Sequence, residues 1–286
     1  MIGRFAETRP ALVACGIVFA YFLVLAVPGL GQSDAFGGGE TETSVASMVA
    51  QLRFELGLAI SVLFVVAVLG WFAAARISTL PRLRRLWWIL PPLLFTSLLL
   101  FVAIVIGVGA DVPFPAWQAL LSLIVFVALV GIFEEVLFRG ILFHGLQRRM
   151  STLAALVVSS LLFGAMHYVN WIGGQPLGDT TLQVVHAAGG GLLYGAVMLL
   201  TGSIWPAVLL HASWDGVVAI TSTIIAEVAP AVTTATSATA AGAASGGGLA
   251  QLLLLGFEPI YGLLLVGVFL YLRQRRPQKG DLGHHT

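Results

Sequence analysis

Residues 117–146 read WQALLSLIVFVALVGIFEEVLFRGILFHGL. A bilayer core about 30 Å thick is crossed by roughly 20 apolar residues in an α-helix, so this stretch is long enough to span it. Glu134, Glu135 and Arg139 nevertheless lie inside the apolar run. An ionisable side chain at membrane depth costs about 3 kcal/mol unless it is paired or reaches water, and such residues usually mark a functional site.

The composition of the whole chain points to a membrane as its solvent. Hydrophobic residues make up 58% of the 286 positions and charged residues only 9%, which is too few for a water-facing surface of ordinary polarity. The expected partner is therefore the lipid bilayer. A net charge of +1 provides no basic footprint, and we expect no nucleic-acid partner. The single cysteine, Cys15, excludes an internal disulfide.

Seven further apolar stretches are long enough to cross a membrane. The eight predicted spans are 11–29, 54–75, 87–108, 117–146, 152–172, 181–201, 205–225 and 250–272. We predict an all-α fold, a polytopic membrane helical bundle of about eight transmembrane helices that forms one integral membrane domain over residues 1–286. The segments 31–50 and 229–248 are rich in Gly, Ser, Thr or Ala, and we predict that both are flexible external loops.

The charges of the connections predict the orientation of the bundle. Arg or Lys residues precede the first span, follow the second, fourth and eighth spans, and are missing from the other connections apart from Arg53. Short cytoplasmic loops are enriched in Lys and Arg, so both termini are predicted to be cytoplasmic. The near-exclusive use of arginine over lysine, with abundant Ala and Gly, suggests a bacterial source. The expected location is then the inner (plasma) membrane.

Polar side chains also interrupt the fifth and seventh predicted spans. Phe163 and His167 lie in the fifth span, and His211 and Asp215 lie in the seventh. The residues of each pair are four positions apart, like the Glu–Arg pair of the fourth span, so each helix presents one polar edge. We expect these edges to converge on one water-accessible cavity, because uncovered polar groups in lipid are costly.

The two adjacent glutamates are expected to differ in role. Neighbouring residues of a helix point about 100° apart. Glu135 can pair with Arg139 one turn later, which leaves Glu134 as the candidate general base. Taken alone, the ion pair or a packed histidine would also be consistent with a purely structural role.

The three motifs together resemble the motif set of the CAAX protease and bacteriocin-processing family, which includes type II CAAX prenyl endopeptidases. The motifs are Glu-Glu-x-x-x-Arg at 134–139, Phe-x-x-x-His at 163–167 and His-x-x-x-Asp at 211–215. The resemblance covers about residues 115–225, the shared catalytic core of the family. It implies an intramembrane endopeptidase, a hydrolase that cleaves a membrane-associated or lipidated peptide or protein near the bilayer.

The resemblance also implies a role for each motif residue. Glu134 and His167 would hold and deprotonate a water molecule, His211 would stabilise the oxyanion, and Asp215 would orient His211. The supporting residues would be Glu135, Arg139 and Phe163. At the last motif position the prenyl-protein proteases carry Asn, whereas this chain and other bacterial members carry Asp. The amide donor is thereby lost, so the resemblance leaves open whether the substrate is prenylated.

The same side chains leave the question of a metal cofactor open. Family members are often described as metalloproteases, and a divalent ion such as zinc would activate the same water. Its ligands would be Glu134, His167, His211 and Asp215. We predict a glutamate/histidine-activated water, and the sequence leaves open whether a metal ion is bound as well.

Two other functions fit polar residues at membrane depth. A proton-coupled membrane transporter would also use buried Glu, His and Asp, although no internal repeat supports it. A catalytically inactive scaffold of the same family would keep the motifs without the chemistry. Glu258 in the eighth span lies outside all three motifs, and we expect its carboxyl group to make a local hydrogen bond.

Other residues of the spans have structural interpretations. His144 and His186 match no motif and are expected to be structural or interfacial. Gly189, Gly190, Gly191 and Gly195 fall in the sixth span. Small residues let backbones approach closely in lipid, so these glycines predict close helix packing.

Overall fold

The computed structural model describes residues 6–27, 45–236 and 247–275, and every regular element in these ranges is helical. The predicted all-α membrane bundle is therefore confirmed. A 3₁₀-helix spans Leu83–Ile89, and a π-helical segment spans Val136–Leu142. The α-helices are α1 (Pro10–Leu25), α2 (Val45–Leu69), α3 (Leu90–Gly109), α4 (Trp117–Glu135), α5 (Phe143–Gln147), α6 (Thr152–Met166), α7 (Tyr168–Ile172), α8 (Leu177–Thr201), α9 (Trp205–Thr236) and α10 (Gly247–Gln274).

Seven helical segments of the described residues are long and apolar enough to cross a membrane. The first predicted span, 11–29, contains only the 16-residue helix α1, and its last two residues lie outside the described part. Sixteen residues rise about 24 Å, which is short of a ~30 Å hydrocarbon core. Among the described residues the structure therefore supports seven crossing helices, and whether the first predicted span crosses the membrane stays a prediction. That both termini are cytoplasmic stays a prediction.

Three predicted boundaries are corrected by the structure. The second span was expected to reach residue 75, but α2 ends at Leu69, and Gly70 follows it with a φ of +69° that suits glycine. Within the first predicted loop, 31–50, helix α2 already begins at Val45. Within the second, 229–248, α9 continues to Thr236 and α10 starts at Gly247. Residues 28–44 and 237–246 lie outside the described ranges.

Helix α8 lies at the centre of the bundle. In the most apolar 18-residue stretch of this helix 67% is buried, against 22–39% of the corresponding stretches in the other crossing helices. It packs against α10 on one side and α6 on the other. A Cβ atom at Gly189 would lie 2.7 Å from Pro259 of α10, and one at Gly191 would lie 3.0 Å from Ser160 of α6. The predicted close packing by these glycines is confirmed.

The π-helical segment continues α4 directly after Glu135. All seven of its residues are buried, including Arg139, and the segment contacts α1, α2 and α6. Isolated π-helical turns are frequent at functional sites because they reposition the side chains that follow them. The segment therefore carries a charged side chain into the interior of the bundle.

Candidate active site

Glu135 and Arg139 form the predicted ion pair at the centre of the site. Arg139 Nη1 lies 3.0 Å from Glu135 Oε1, and both side chains are almost completely buried. The guanidinium carbon of Arg139 also lies 4.3 Å from the centre of the Phe163 ring, a cation–π contact. A charge this deep is tolerated because it is paired and covered by an aromatic face.

His211 is held by Glu135 from the neighbouring helix. Its Nδ1 lies 2.9 Å from Glu135 Oε1. Because Glu135 is paired with a guanidinium and accepts hydrogen bonds, Nδ1 is the donor. The other ring nitrogen, Nε2, lies 3.4 Å from Asp215 Oδ2 and 3.6 Å from Glu134 Oε2. The orientation of the imidazole is thus set by Glu135, a contact that the sequence did not predict, and Asp215 lies at the opposite nitrogen.

Two aromatic rings fix the plane of the His211 imidazole. The Tyr194 ring stacks on it with centroids 5.1 Å apart and an interplanar angle of 15°. Phe163 contacts it edge-on at 5.6 Å and 88°. Phe163 makes the same kind of contact with His167, at 5.3 Å and 82°. One phenylalanine therefore contacts both motif histidines.

His167 ends helix α6, and its ring is fixed by its own backbone. Its Nδ1 lies 3.1 Å from the Phe163 carbonyl oxygen. A carbonyl oxygen only accepts, so Nδ1 donates and Nε2 is left as the acceptor nitrogen. His167 interacts electrostatically with His211 and Asp215.

Exposure divides the polar residues into two layers. The side chains of Glu135 and His211 are 0% and 5% exposed, whereas those of Glu134 and Asp215 are 21% and 31% exposed. His167 is half-buried. The inner layer is thus sealed from solvent, and the outer layer can meet water and a substrate.

The four predicted catalytic residues come from three helices. Glu134 lies at the end of α4, His167 ends α6, and His211 and Asp215 lie on α9. The structure brings Glu134, His211 and Asp215 into direct contact and places His167 beside them across Phe163. The residues converge as expected, and their chemical roles stay predictions.

This arrangement lies within a segment that matches a known protein family. Residues 115–217 match the family model described as type II CAAX prenyl endopeptidase Rce1-like. This segment is similar to an Rce1-like domain. The match contains all four predicted catalytic residues, and at the level of the family it supports an intramembrane protease in a multi-pass membrane protein. No curated protein and no solved structure matches the chain.

Three residues that the motifs did not include adjoin the Rce1-like site. The Tyr194 hydroxyl donates to Glu258 Oε1 at 2.8 Å, and Glu258 is buried. His186 Nε2 lies 3.6 Å from Glu258 Oε2, and the His186 ring stacks on Trp214. The hydrogen bond expected for Glu258 is present, but it comes from another helix rather than from a local partner. In the sequence, this cluster was indicated only by Glu258, a single carboxyl group in an otherwise apolar span.

A further carboxylate faces the outer layer from helix α2. Glu55 is half-buried and interacts electrostatically with Glu134 and Asp215. In the sequence it stands beside Arg53 at the predicted end of a span, so nothing in its own segment connects it with the motifs. Three carboxylates from α2, α4 and α9 therefore surround the accessible side of the Rce1-like site.

The four motif side chains do not form a metal-binding group. Over residues 6–27, 45–236 and 247–275, no set of three or more His, Cys, Asp or Glu side chains is arranged to hold a metal ion. His167 bonds a backbone carbonyl through Nδ1, and His211 bonds Glu135 through Nδ1, so these two contacts leave Nε2 of each ring unused. A metal cofactor stays a prediction from the family resemblance.

Proposed function

We propose that this protein is an intramembrane endopeptidase in which Glu134 is the general base. The observation that carries the proposal is the contrast between the two glutamates. Glu135 is fully buried between Arg139 and His211, whereas Glu134 is 21% exposed. A general base must contact a water molecule and must keep an oxygen lone pair free to accept its proton. Of the two carboxylates, only Glu134 meets both requirements.

The space around His211 Nε2 supports a position for the attacking water. The separations of 3.6 Å to Glu134 and 3.4 Å to Asp215 exceed the ~2.9 Å of a strong direct hydrogen bond. A bridging water can satisfy such groups at little cost. The acceptor nitrogen of His167 holds the second hydrogen of this water.

The proposed reaction is hydrolysis of a peptide bond. Glu134 takes a proton from the water as its oxygen attacks the carbonyl carbon. His211, surrounded by carboxylates and donating from both nitrogens, stabilises the oxyanion that forms. Glu134 then gives the proton to the leaving nitrogen as the C–N bond breaks. The second hydrogen of the water passes from the new carboxylic acid to the amine, so the products are a carboxylate and an ammonium group, and no proton is gained or lost by the enzyme.

The position of the site supports a substrate that reaches it through the membrane. The catalytic side chains lie in the helical segments Trp117–Gln147, Thr152–Ile172 and Trp205–Ile225, all of which are long and apolar enough to cross the bilayer. A membrane-associated or lipidated peptide or protein is therefore the proposed substrate class. Asp215 stands where the prenyl-protein proteases carry Asn, so the proposal does not require a prenyl group.

The test is peptide cleavage by purified protein in liposomes. A panel of membrane peptides, with and without a C-terminal prenyl group, is incubated in water enriched in ¹⁸O, and the products are analysed by mass spectrometry. The expected result is a pair of fragments with ¹⁸O in the new carboxylate. A panel that stays intact in the presence of folded protein would contradict the proposal.

One observation favours proton transport as a second candidate function. Two polar pairs, Glu134–His211 and Tyr194–Glu258, lie at membrane depth and are joined by the stacked rings of His211 and Tyr194. Ionisable groups at this depth are typical of proton-transporting proteins. Liposomes that contain the protein and an internal pH dye distinguish the two, since a protease predicts cleavage without proton flux and a transporter predicts the reverse. An inactive scaffold predicts neither.

A further inference from the structure

A cavity of about 450 Å³ lies at the bundle end formed by the C-terminal turns of α8 and α10. Its lining includes Arg76, Arg82, Arg85 and Arg273, and none of the described residues that line it is acidic. It shares no residue with the catalytic site. Four guanidinium groups around one cavity give it a positive potential that attracts an anion.

The first two arginines are held in place by the end of α8. Arg76 Nη1 donates to the Met198 carbonyl at 3.0 Å, and the backbone N–H of Arg82 donates to the Thr201 carbonyl at 2.9 Å. The Arg82 guanidinium lies against Gly202, where a Cβ would come within 3.3 Å of its Cζ. Burial, and then the charge of Arg82, lower the pKa of Arg76, which is consistent with two cations that lie close together.

Helix dipoles do not balance these charges. The lining includes the C-terminal ends of α5, α8 and α10 and the N-terminal end of α6. At about half an elementary charge per end, the four ends sum to roughly one negative charge. None of the salt bridges found among the described residues involves these arginines. About three positive charges are left for a ligand.

We propose that this cavity binds the phosphate group of an anionic phospholipid. Guanidinium forks match phosphate oxygens in two-point hydrogen bonds. Basic pockets between the ends of transmembrane helices suit anionic headgroups. Trp205 Nε1 donates to the Ile77 carbonyl in the same region, and tryptophan prefers headgroup depth. Phe269 and Leu272 line the cavity and are partly exposed, which provides an apolar wall for an acyl chain.

The experiment measures lipid binding to the full-length protein in a neutral detergent. Native mass spectrometry counts bound lipids, and thermal unfolding reports stabilisation, with three separate additions: phosphatidylglycerol, phosphatidylcholine and inorganic phosphate. We expect phosphatidylglycerol to remain bound and to raise Tm, with smaller effects of the other two. Equal effects of phosphatidylglycerol and phosphatidylcholine would overturn the proposal. If inorganic phosphate stabilises the protein as strongly as phosphatidylglycerol does, the ligand of the cavity is a free anion and not a lipid.

Variants locate the binding to this cavity. Arg82 and Arg273 are exposed, so R82Q and R273Q remove charge without creating a cavity in the core. At about fivefold per arginine near a charged lipid surface, each variant should weaken phosphatidylglycerol binding by ~5-fold and the double variant by ~25-fold. R84Q is the matched control, because Arg84 is exposed in the same connection and does not line the cavity. Equal losses in R84Q and R82Q would contradict a specific site.

Discussion

Glu135 Oε1 lies 2.9 Å from His211 Nδ1 and 3.0 Å from Arg139 Nη1. A single carboxylate oxygen thus connects α4 and the π-helical segment with the imidazole on α9. Removing this oxygen would leave the buried Arg139 cation without its partner, and it would also remove the hydrogen bond that orients His211. Its neighbour Glu134 makes neither the ion pair with Arg139 nor the contact with His211 Nδ1, so substitutions of the two glutamates should have different effects.

Glu135→Gln should lower both stability and activity. Breaking a buried ion pair from one side typically costs about 3–5 kcal/mol, because the remaining charge is left without its partner. The measurement is Tm in detergent, compared with Glu134→Gln as the control of equal volume change. An unchanged Tm for Glu135→Gln would contradict the buried pair.

Tyr194 should position His211 through its ring rather than its hydroxyl group. Tyr194→Phe keeps the stacked ring but removes the donor to buried Glu258, which should cost about 1–3 kcal/mol of stability while cleavage persists. Tyr194→Leu removes the ring as well, so its cleavage rate should fall further. Rates and Tm of both variants are compared, and equal loss of rate in the two would assign the effect to the hydroxyl group.

Asp215→Asn should be tolerated better than a change of the base. Because Glu135 already orients His211, Asp215 contributes at most one hydrogen bond at Nε2. The loss of ~1.5 kcal/mol corresponds to a rate reduction of about tenfold. Steady-state cleavage rates provide the test. A decrease as large as that of Glu134→Gln would make Asp215, and not Glu135, the main partner of His211.

Gly164→Ala should disturb the site from a distance. A Cβ at Gly164 would lie 2.5 Å from the Val184 carbonyl oxygen and 3.0 Å from the Ala188 nitrogen, both backbone atoms of α8. Overpacking typically costs about 1–3 kcal/mol, and the displaced end of α6 carries His167. Gly178→Ala on α8 is the control, since nothing lies within 4 Å of that position. A Gly164→Ala variant with the Tm and cleavage rate of Gly178→Ala would show that α6 can shift without cost.

The sequence predicted those parts of the site that local helix geometry decides. Spacings of four residues predicted the Glu135–Arg139 pair, and the cost of polar groups in lipid predicted that the three motifs converge. The contact between Glu135 and His211 depends on how α4 and α9 are rotated against each other, which packing decides. Tyr194 and Glu55 could not be assigned for the same reason.

The boundaries of the helices were less predictable than their existence. Gly70 ends α2 through a left-handed backbone conformation, although the apolar sequence continues beyond it. Helix α9 continues to Thr236, where composition suggested a loop. Hydropathy reports whether a segment can be buried, but not where its hydrogen bonding stops.

The assignment of Glu134 as general base is tested most directly by the cleavage rate of Glu134→Gln relative to wild type. Gln keeps the volume of the side chain and removes only the basic oxygen, and Glu134 is partly exposed, so Tm should stay close to that of wild type. The rate should fall by ~10²–10⁴-fold, as expected for the loss of a general base. A well-folded Glu134→Gln protein that cleaves its peptide at the wild-type rate would contradict the account.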